Sequence, residues 1–279
     1  MAISNFIPTI WSENLITSLN KKYVGVANCN RDFEGEIKNM GSVVKICGIG
    51  PITVSDYSKN YDMSAPQTLE DTCTELVIDK ARFFNFQIDD VDKTQCTPKL
   101  MDAAMKSAAA ALANDADKLV YSLYTNAGKT LTHSYDSQEA LIDVIIKARK
   151  FLYENDVNDS SSVVLEVSPA IAAMILKEKI ALTNNTEALD NGYLGSVAGC
   201  KIYVSNNIKR SYNSDMSTVD HCIMRTTRAI AFADQLSEID AYRPEKRFAD
   251  AVKGLHLYGA KVVYPNEMVT ISVTKGYEE

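Results

Sequence analysis

The apolar and polar positions divide the chain into stretches of different period. From Ser42 to Tyr57 the sequence reads Ser-Val-Val-Lys-Ile-Cys-Gly-Ile-Gly-Pro-Ile-Thr-Val-Ser-Asp-Tyr, rich in β-branched residues and interrupted by Gly48, Gly50 and Pro51. A second β-rich run extends from Cys73 to Asp89, where Phe84-Asn85-Phe86-Gln87-Ile88-Asp89 alternates between apolar and polar, the period of a strand with one covered face. The two runs predict the arms of a long hairpin joined by the polar stretch Ser58 to Asp71. Each arm, about 16 residues at roughly 3.3 Å per residue, would extend about 50 Å, whereas most strands have about five or six residues. A bare two-stranded ribbon is marginal in water, and its open edges invite pairing with other chains. Two readings stay open: a neighbouring subunit covers the ribbon, or the runs are two strands of an ordinary internal sheet.

The period then changes to that of a helix. Thr97 stands as N-cap with Pro98 at the first helical position, and Met101, Met105, Ala108, Leu112, Leu119 and Leu123 recur at helical spacing. A helix running to about Tyr124 would span roughly 40 Å, and the small residues Ala108 to Ala111 permit close approach of another backbone. Asn126-Ala127-Gly128 breaks it, and Asp136 with Glu139 opens a second helix whose apolar face is Leu141, Val144, Ile145, Ala148 and Leu152. Ser162 to Val167 predicts a buried strand, and Ser168-Pro169 caps a third helix through about Lys179. Beyond Gly199 strands are expected over Lys201–Ser205, Cys222–Asp234, Glu238–Tyr242, Val252–Tyr264 and Val269–Thr274, with a turn at Pro265-Asn266. At the other end a short helix over Ser12–Lys22 leaves Trp11 and its apolar neighbours needing cover, which either a docking site at home or a neighbouring subunit would supply. The pattern is α+β, with strand and helix alternating in the central third.

Composition narrows what such a chain can do. At 279 residues and 46% hydrophobic it builds real cores, which excludes a disordered protein. With 29 Lys and Arg against 36 Asp and Glu, and a net charge of -7, tight sequence-blind nucleic-acid binding is excluded, while enclosing nucleic acid is not. Cys29, Cys47, Cys73, Cys96, Cys200 and Cys222 form no C-x-x-C pair, the pattern of reduced intracellular thiols. The first residues, with Pro8 and Glu13, do not read as a secretory signal, and no stretch approaches the roughly 20 apolar residues of a membrane span.

Candidate chemistry is sparse. Gly48-Ile49-Gly50-Pro51 lacks the third Gly and the helix of a dinucleotide fingerprint, and Asp89, Asp90 and Asp92 lack the Gly and closing Glu of a calcium loop. His221 and Cys222 are neighbours on a predicted strand and so face opposite sides; a cysteine hydrolase would need a distant His to meet one of the cysteines. No metal or cofactor is expected.

The order of elements resembles the major capsid proteins of tailed bacteriophages. The resemblance rests on Phe84 to Asp92 feeding a long helix with Leu112-Ala113-Asn114-Asp115-Ala116-Asp117, on Val164 to Pro169, on Gly199 to Asn206, on Ile239 to Glu245 and on Val252 to Pro265. It implies an N-terminal arm at 1–35, an extended (E) loop hairpin with flanking strands at 36–90, and a spine helix of the peripheral (P) domain at 91–135. An axial (A) domain at 136–235 and return strands of the P-domain at 236–279 complete it. The implied function is a structural coat protein forming pentamers and hexamers and, from them, an icosahedral head around double-stranded DNA, assembled in the host cytoplasm. A cleavable N-terminal scaffolding segment is not expected, since the arm begins near Met1, so the resemblance implies either a separate scaffolding protein or none, with a portal and a decoration protein as possible further partners. The expected assembly contacts are Trp11, Val44, Ile46, Ile52, Val54, Tyr57 and Tyr61, with Thr183 to Gly195 meeting at ring centres. Deletion of Ser42 to Asp71 is expected to leave a folded subunit unable to close shells. The alternatives are a bacterial nanocompartment shell of the same fold and, from another class, the cysteine hydrolase.

Overall fold

The computed structural model describes residues 22–33, 41–49, 52–54, 56, 59, 65, 67–68, 71–89, 100–135, 140–159, 162–177, 193–213, 217–246 and 248–275. Trp11, Tyr57, Tyr61, Asp90, Asp92, the Thr97-Pro98 cap and the Asp136/Glu139 capping box fall outside them, as does most of Thr183 to Gly195.

In chain order the strands are β1 (Val43–Ile49), β2 (Asp71–Val77) and β3 (Lys80–Asp89), followed by helix α1 (Leu100–Ser122), β4 (Lys129–Ser134), α2 (Leu141–Glu154), β5 (Val163–Val167) and α3 (Pro169–Lys177). The remainder is β6 (Tyr193–Val197), β7 (Cys200–Val204), β8 (Arg210–Tyr212), β9 (Thr218–Thr226), β10 (Ile230–Tyr242), β11 (Ala249–Val262) and β12 (Met268–Lys275).

Three sheets organise these elements: β1-β2, the antiparallel β10-β11-β3, and a seven-stranded sheet ordered β4-β12-β9-β5-β7-β6 with β8 also on β9. Alternation along β9 decides the last one's packing. Cys222 and Met224 point to the α2 and α3 side, where Leu141, Val144, Ile145, Ala148 and Leu152 of α2 are buried as the helical pattern predicted, together with Ile171 of α3. Ile223 points the other way, into a core built on α1. A strand covered on both faces needs a continuous apolar run, and all five residues of β5 are buried. Between β6 and β7, Ala198 (φ 50°) and Gly199 (φ 77°) form a two-residue hairpin turn in which both central residues take positive φ.

Helix α1 carries Met105, Ala109, Leu112, Ala113, Ala116 and Val120 as its buried stripe. This lies slightly to one side of the predicted stripe, leaving Ala108, Leu119 and Leu123 half-buried. The displacement follows from size, because three alanines let the helix axis approach the β10-β11-β3 sheet, where Phe232, Val252 and Tyr258 meet it.

Several expectations change. The second hairpin arm is not one strand: it bends at Ile78-Asp79, so that β2 pairs with β1 over seven residues while β3 pairs with β11. The predicted strand Cys222–Asp234 is two strands in different sheets, divided by a turn in which the Ala229 N–H donates to the Thr226 carbonyl. The expected strand Glu238–Tyr242 is the end of β10, past a register shift between Leu236 and Glu238. β12 pairs with β4 and β9, and β10 runs without interruption through position 235, where the sequence pattern expects a break between two strands.

Candidate assembly surface

The hairpin ladder is in register from Val43↔Val77 to Ile49↔Asp71, so its two faces alternate along each strand. Val44, Ile46 and Leu76 point inward and, with Ile78, cover Ala231, Ala233 and Leu257 of the three-stranded sheet. The hairpin base is therefore a third layer over a sheet whose other face carries α1. Docking is close: a Cβ at Gly259 would lie 2.4 Å from the Val77 carbonyl oxygen, so only glycine lets the hairpin base pass there.

This placement changes the role of two expected contact residues. Val44 and Ile46 are 2% and 9% exposed inside their own subunit, so they have no apolar area left for a neighbour. Ile52 and Val54, by contrast, are 68% and 92% exposed on the leg beyond the ladder. The legs stay associated there, since the Thr53 N–H donates to Gln67 Oε1 at 2.9 Å. Excising Ser42 to Asp71 would also remove Val44 and Ile46 and uncover Leu257, so the expected deletion variant loses part of its own core.

The part of the three-stranded sheet left uncovered by the hairpin carries a shallow depression of about 240 Å³ lined by Phe83, Phe84, Asn85, Asp240, Lys253, Gly254 and Leu255. Phe83 is 78% exposed. Lys253 and Asp240 form a cross-strand ion pair (3.3 Å) at its edge. Sequence reasoning passed over this patch, yet a signal was present: in Phe83-Phe84-Asn85-Phe86 the first Phe sits in the polar phase of the alternation.

The root of the N-terminal segment is fixed by a buried polar network. Asp117 of α1 accepts the Val26 N–H (2.9 Å) and the Val24 N–H (3.1 Å) through its two carboxylate oxygens. Arg225 of β9 donates to both oxygens of Glu166 of β5 (3.0 and 3.1 Å) and to the carbonyls of Gly25 (2.9 Å) and Asn28 (2.6 Å). Burial pushes the Asp117 carboxyl up to about 6, against the pull of the two backbone N–H groups. Burial likewise raises Glu166, opposed by the Arg225 charge. Asp234 accepts from Tyr23 Oη (2.9 Å), Arg31 (3.2 Å) and His256 Nε2 (3.1 Å). Burial opposes ionisation of Asp234, but these partners, His256 foremost, hold its carboxyl below the ordinary range.

His221 and Cys222 are both engaged in packing. His221 stacks on Tyr124 (4.0 Å between centroids) with its nitrogens against Ser211 and Ser272, while Cys222 lies in the core on the opposite face. Among the described residues no three His, Cys, Asp or Glu side chains converge as a metal site, and no helix is long and apolar enough to cross a membrane.

A family model described as phage capsid protein matches residues 75–271, from β2 into β12. The chain belongs to the phage capsid protein family. This capsid protein is similar over its length to a solved structure from Mycobacterium phage Che8, at 26% identity and a TM-score of 0.68, covering 89% of this chain and 90% of that one. The fold is shared with the capsid of cyanophage P-SCSP1u (13% identity, TM-score 0.66, 89% and 86% covered). The capsid of Ralstonia phage GP4 also shares it (12% identity, TM-score 0.66, 91% and 89% covered). No curated protein matches the sequence. This capsid protein is thus a structural component of a bacteriophage virion, with the α+β tailed-phage capsid fold, and it builds multimeric shells.

Proposed function

We propose that subunits of this capsid protein form pentamers and hexamers that close into an icosahedral head around double-stranded DNA. In this reading the outer legs of the β1-β2 hairpin lie on an adjacent subunit. The observation that carries the hairpin's role is the exposure of Ile52 and Val54 beyond a hairpin base that is already covered at home. Such β-branched side chains gain roughly 25 cal/mol per Å² when a second surface removes them from water. The depression beside Phe83 and Leu255 in a second copy is the receiving surface, being apolar at its floor and polar at its edge. Residues 1–35 act as an arm that reaches another neighbour from a root held by Asp117 and Arg225. The spine (91–135), the axial part (136–235) and the closing strands (236–279) form the plate that carries both, with β12 joined to the axial sheet. A net charge of -7 suits a wall that surrounds DNA without gripping it. The chain acts mechanically and not as an enzyme. It assembles in the host cytoplasm with a separate scaffolding protein, a portal and a decoration protein.

The test is the double variant Ile52→Asp, Val54→Asp. Both positions are exposed in the isolated subunit, so its urea midpoint should stay within the small range typical of surface changes, while closed shells in negative-stain micrographs are lost. Shells of normal size and yield from this variant would overturn the role given to the legs.

A further inference from the structure

The outward face of the hairpin ladder carries a pair of thiols. Cys47 of β1 and Cys73 of β2 are direct cross-strand partners, and their sulfurs stand 3.7 Å apart. Facing residues of an antiparallel pair have Cα atoms about 4.5 or 5.5 Å apart, and both spacings lie inside the roughly 4.4–6.8 Å window of disulfides. Side-chain rotation alone can therefore bring the sulfurs to bonding distance. Both residues are exposed, whereas Cys29, Cys200 and Cys222 are buried. Burial also pushes the thiols of Cys29 and Cys200 up to about 11, which leaves little of the reactive thiolate.

We propose that Cys47 and Cys73 are a redox modification site, closing to a cross-strand disulfide when the subunit meets an oxidising small-molecule disulfide such as oxidised glutathione. In the first step one protein thiolate attacks a glutathione sulfur; the glutathione S–S bond breaks and one glutathione leaves, taking up a proton. In the second step the other protein thiolate attacks the protein sulfur of that mixed disulfide, and the second glutathione leaves in the same way. Two protein thiols are oxidised and one small disulfide is reduced to two thiols, so electrons and protons balance. The product fixes the register of β1 against β2 and closes the loop that carries Ile52 and Val54, leaving those legs tethered at a covalent base. The inference concerns one subunit and does not require that the legs touch a neighbour.

The sequence supplies a direct assay, because Lys59 is the only Lys or Arg between the two cysteines and Lys45 and Lys80 flank them. Purified full-length chain is oxidised with oxidised glutathione, its remaining thiols are blocked, and it is digested with trypsin after denaturation without reductant. Peptides 46–59 and 60–80 should appear as one linked species, lighter by two hydrogens than their sum and separated by reductant. Thiols titrated after denaturation should fall from six to four. The Cys47→Ser variant should instead hold glutathione on Cys73 as a stable mixed disulfide. Recovery of the two peptides unlinked, each blocked or carrying glutathione, would overturn the proposal. So would linkage of either cysteine to a different one or to a second chain.

Discussion

Arg225 and Glu166 face each other with no exposure to solvent, in a site that water cannot relax. The guanidinium is surrounded by fixed acceptors, two carboxylate oxygens, two backbone carbonyls and the Cys29 sulfur, so removing it strands a buried charge rather than exposing one. Arg225→Ala should cost about 3–5 kcal/mol in urea unfolding of the unassembled subunit. The double variant Arg225→Met, Glu166→Leu should recover most of that loss, because it removes both charges together. Asp117 gives a pH signature. Its carboxyl is raised by burial from 3.8 to about 6, so the folded state holds a proton that the unfolded chain has released across that window. The stabilisation from this group is full below 3.8 and is lost as pH rises through about 6. Wild type should therefore gain stability relative to Asp117→Asn as pH falls from about 7 to about 4, by on the order of 2–3 kcal/mol in paired urea titrations. A difference that is flat or grows with pH would contradict the assignment. The sequence hinted at these groups without pairing them. Glu166 stands alone in Val-Val-Leu-Glu-Val, and Arg225 closes Cys-Ile-Met-Arg, each a charge in a run that should be buried; which charge met which depended on a fold that brings residues 25, 117, 166 and 225 together.

Among the elements, those with a strong period were legible. The apolar face of α2 and the buried run of β5 stand where the pattern put them, because each is decided by one covered face or by two. The edge strands were not: among the described residues β4 pairs only with β12 and β6 only with β7, so neither needs much apolar character, and Lys129-Thr130-Leu131-Thr132-His133-Ser134 looks like a loop. The break between β9 and β10 was hidden for another reason, since Thr227-Arg228-Ala229 turns the chain without Gly, Pro or Asn. At the hairpin, the period marked strand in both arms but overran the first, where β1 ends at Ile49 and Ile52 to Val54 lie outside any strand, and it carried no sign that the second arm changes partner after Val77. That change depends on Gly259, over which the hairpin base passes. Gly259→Ala should cost about 1–3 kcal/mol by overpacking against a backbone carbonyl. It should also speed amide hydrogen exchange at Ile78, whose N–H is donated to the Ser42 carbonyl at 3.1 Å. Unchanged protection there would mean that the hairpin seat tolerates a side chain.

At the scale of the molecule, α1, the three-stranded sheet and the hairpin base form successive layers, and the seven-stranded sheet adjoins them through the core on α1. The subunit covers the base of its hairpin and leaves Ile52 and Val54 exposed beyond it, the arrangement that the proposed contact with a second copy requires. The same layering couples the chain's two ends. Tyr23 bonds Asp234 across 211 positions, Gly25 bonds Arg225 across 200, and the Asn30 N–H is donated to the Ile230 carbonyl. While the ribosome is still making the chain, the segment around Tyr23 to Asn30 has none of these partners until β9 and β10 have been translated and have left the exit tunnel. That segment is thus among the first parts synthesised and is not fully seated until well past residue 225, so in the proposed reading a nascent coat chain has no finished arm to present to a neighbour until its own translation is far advanced.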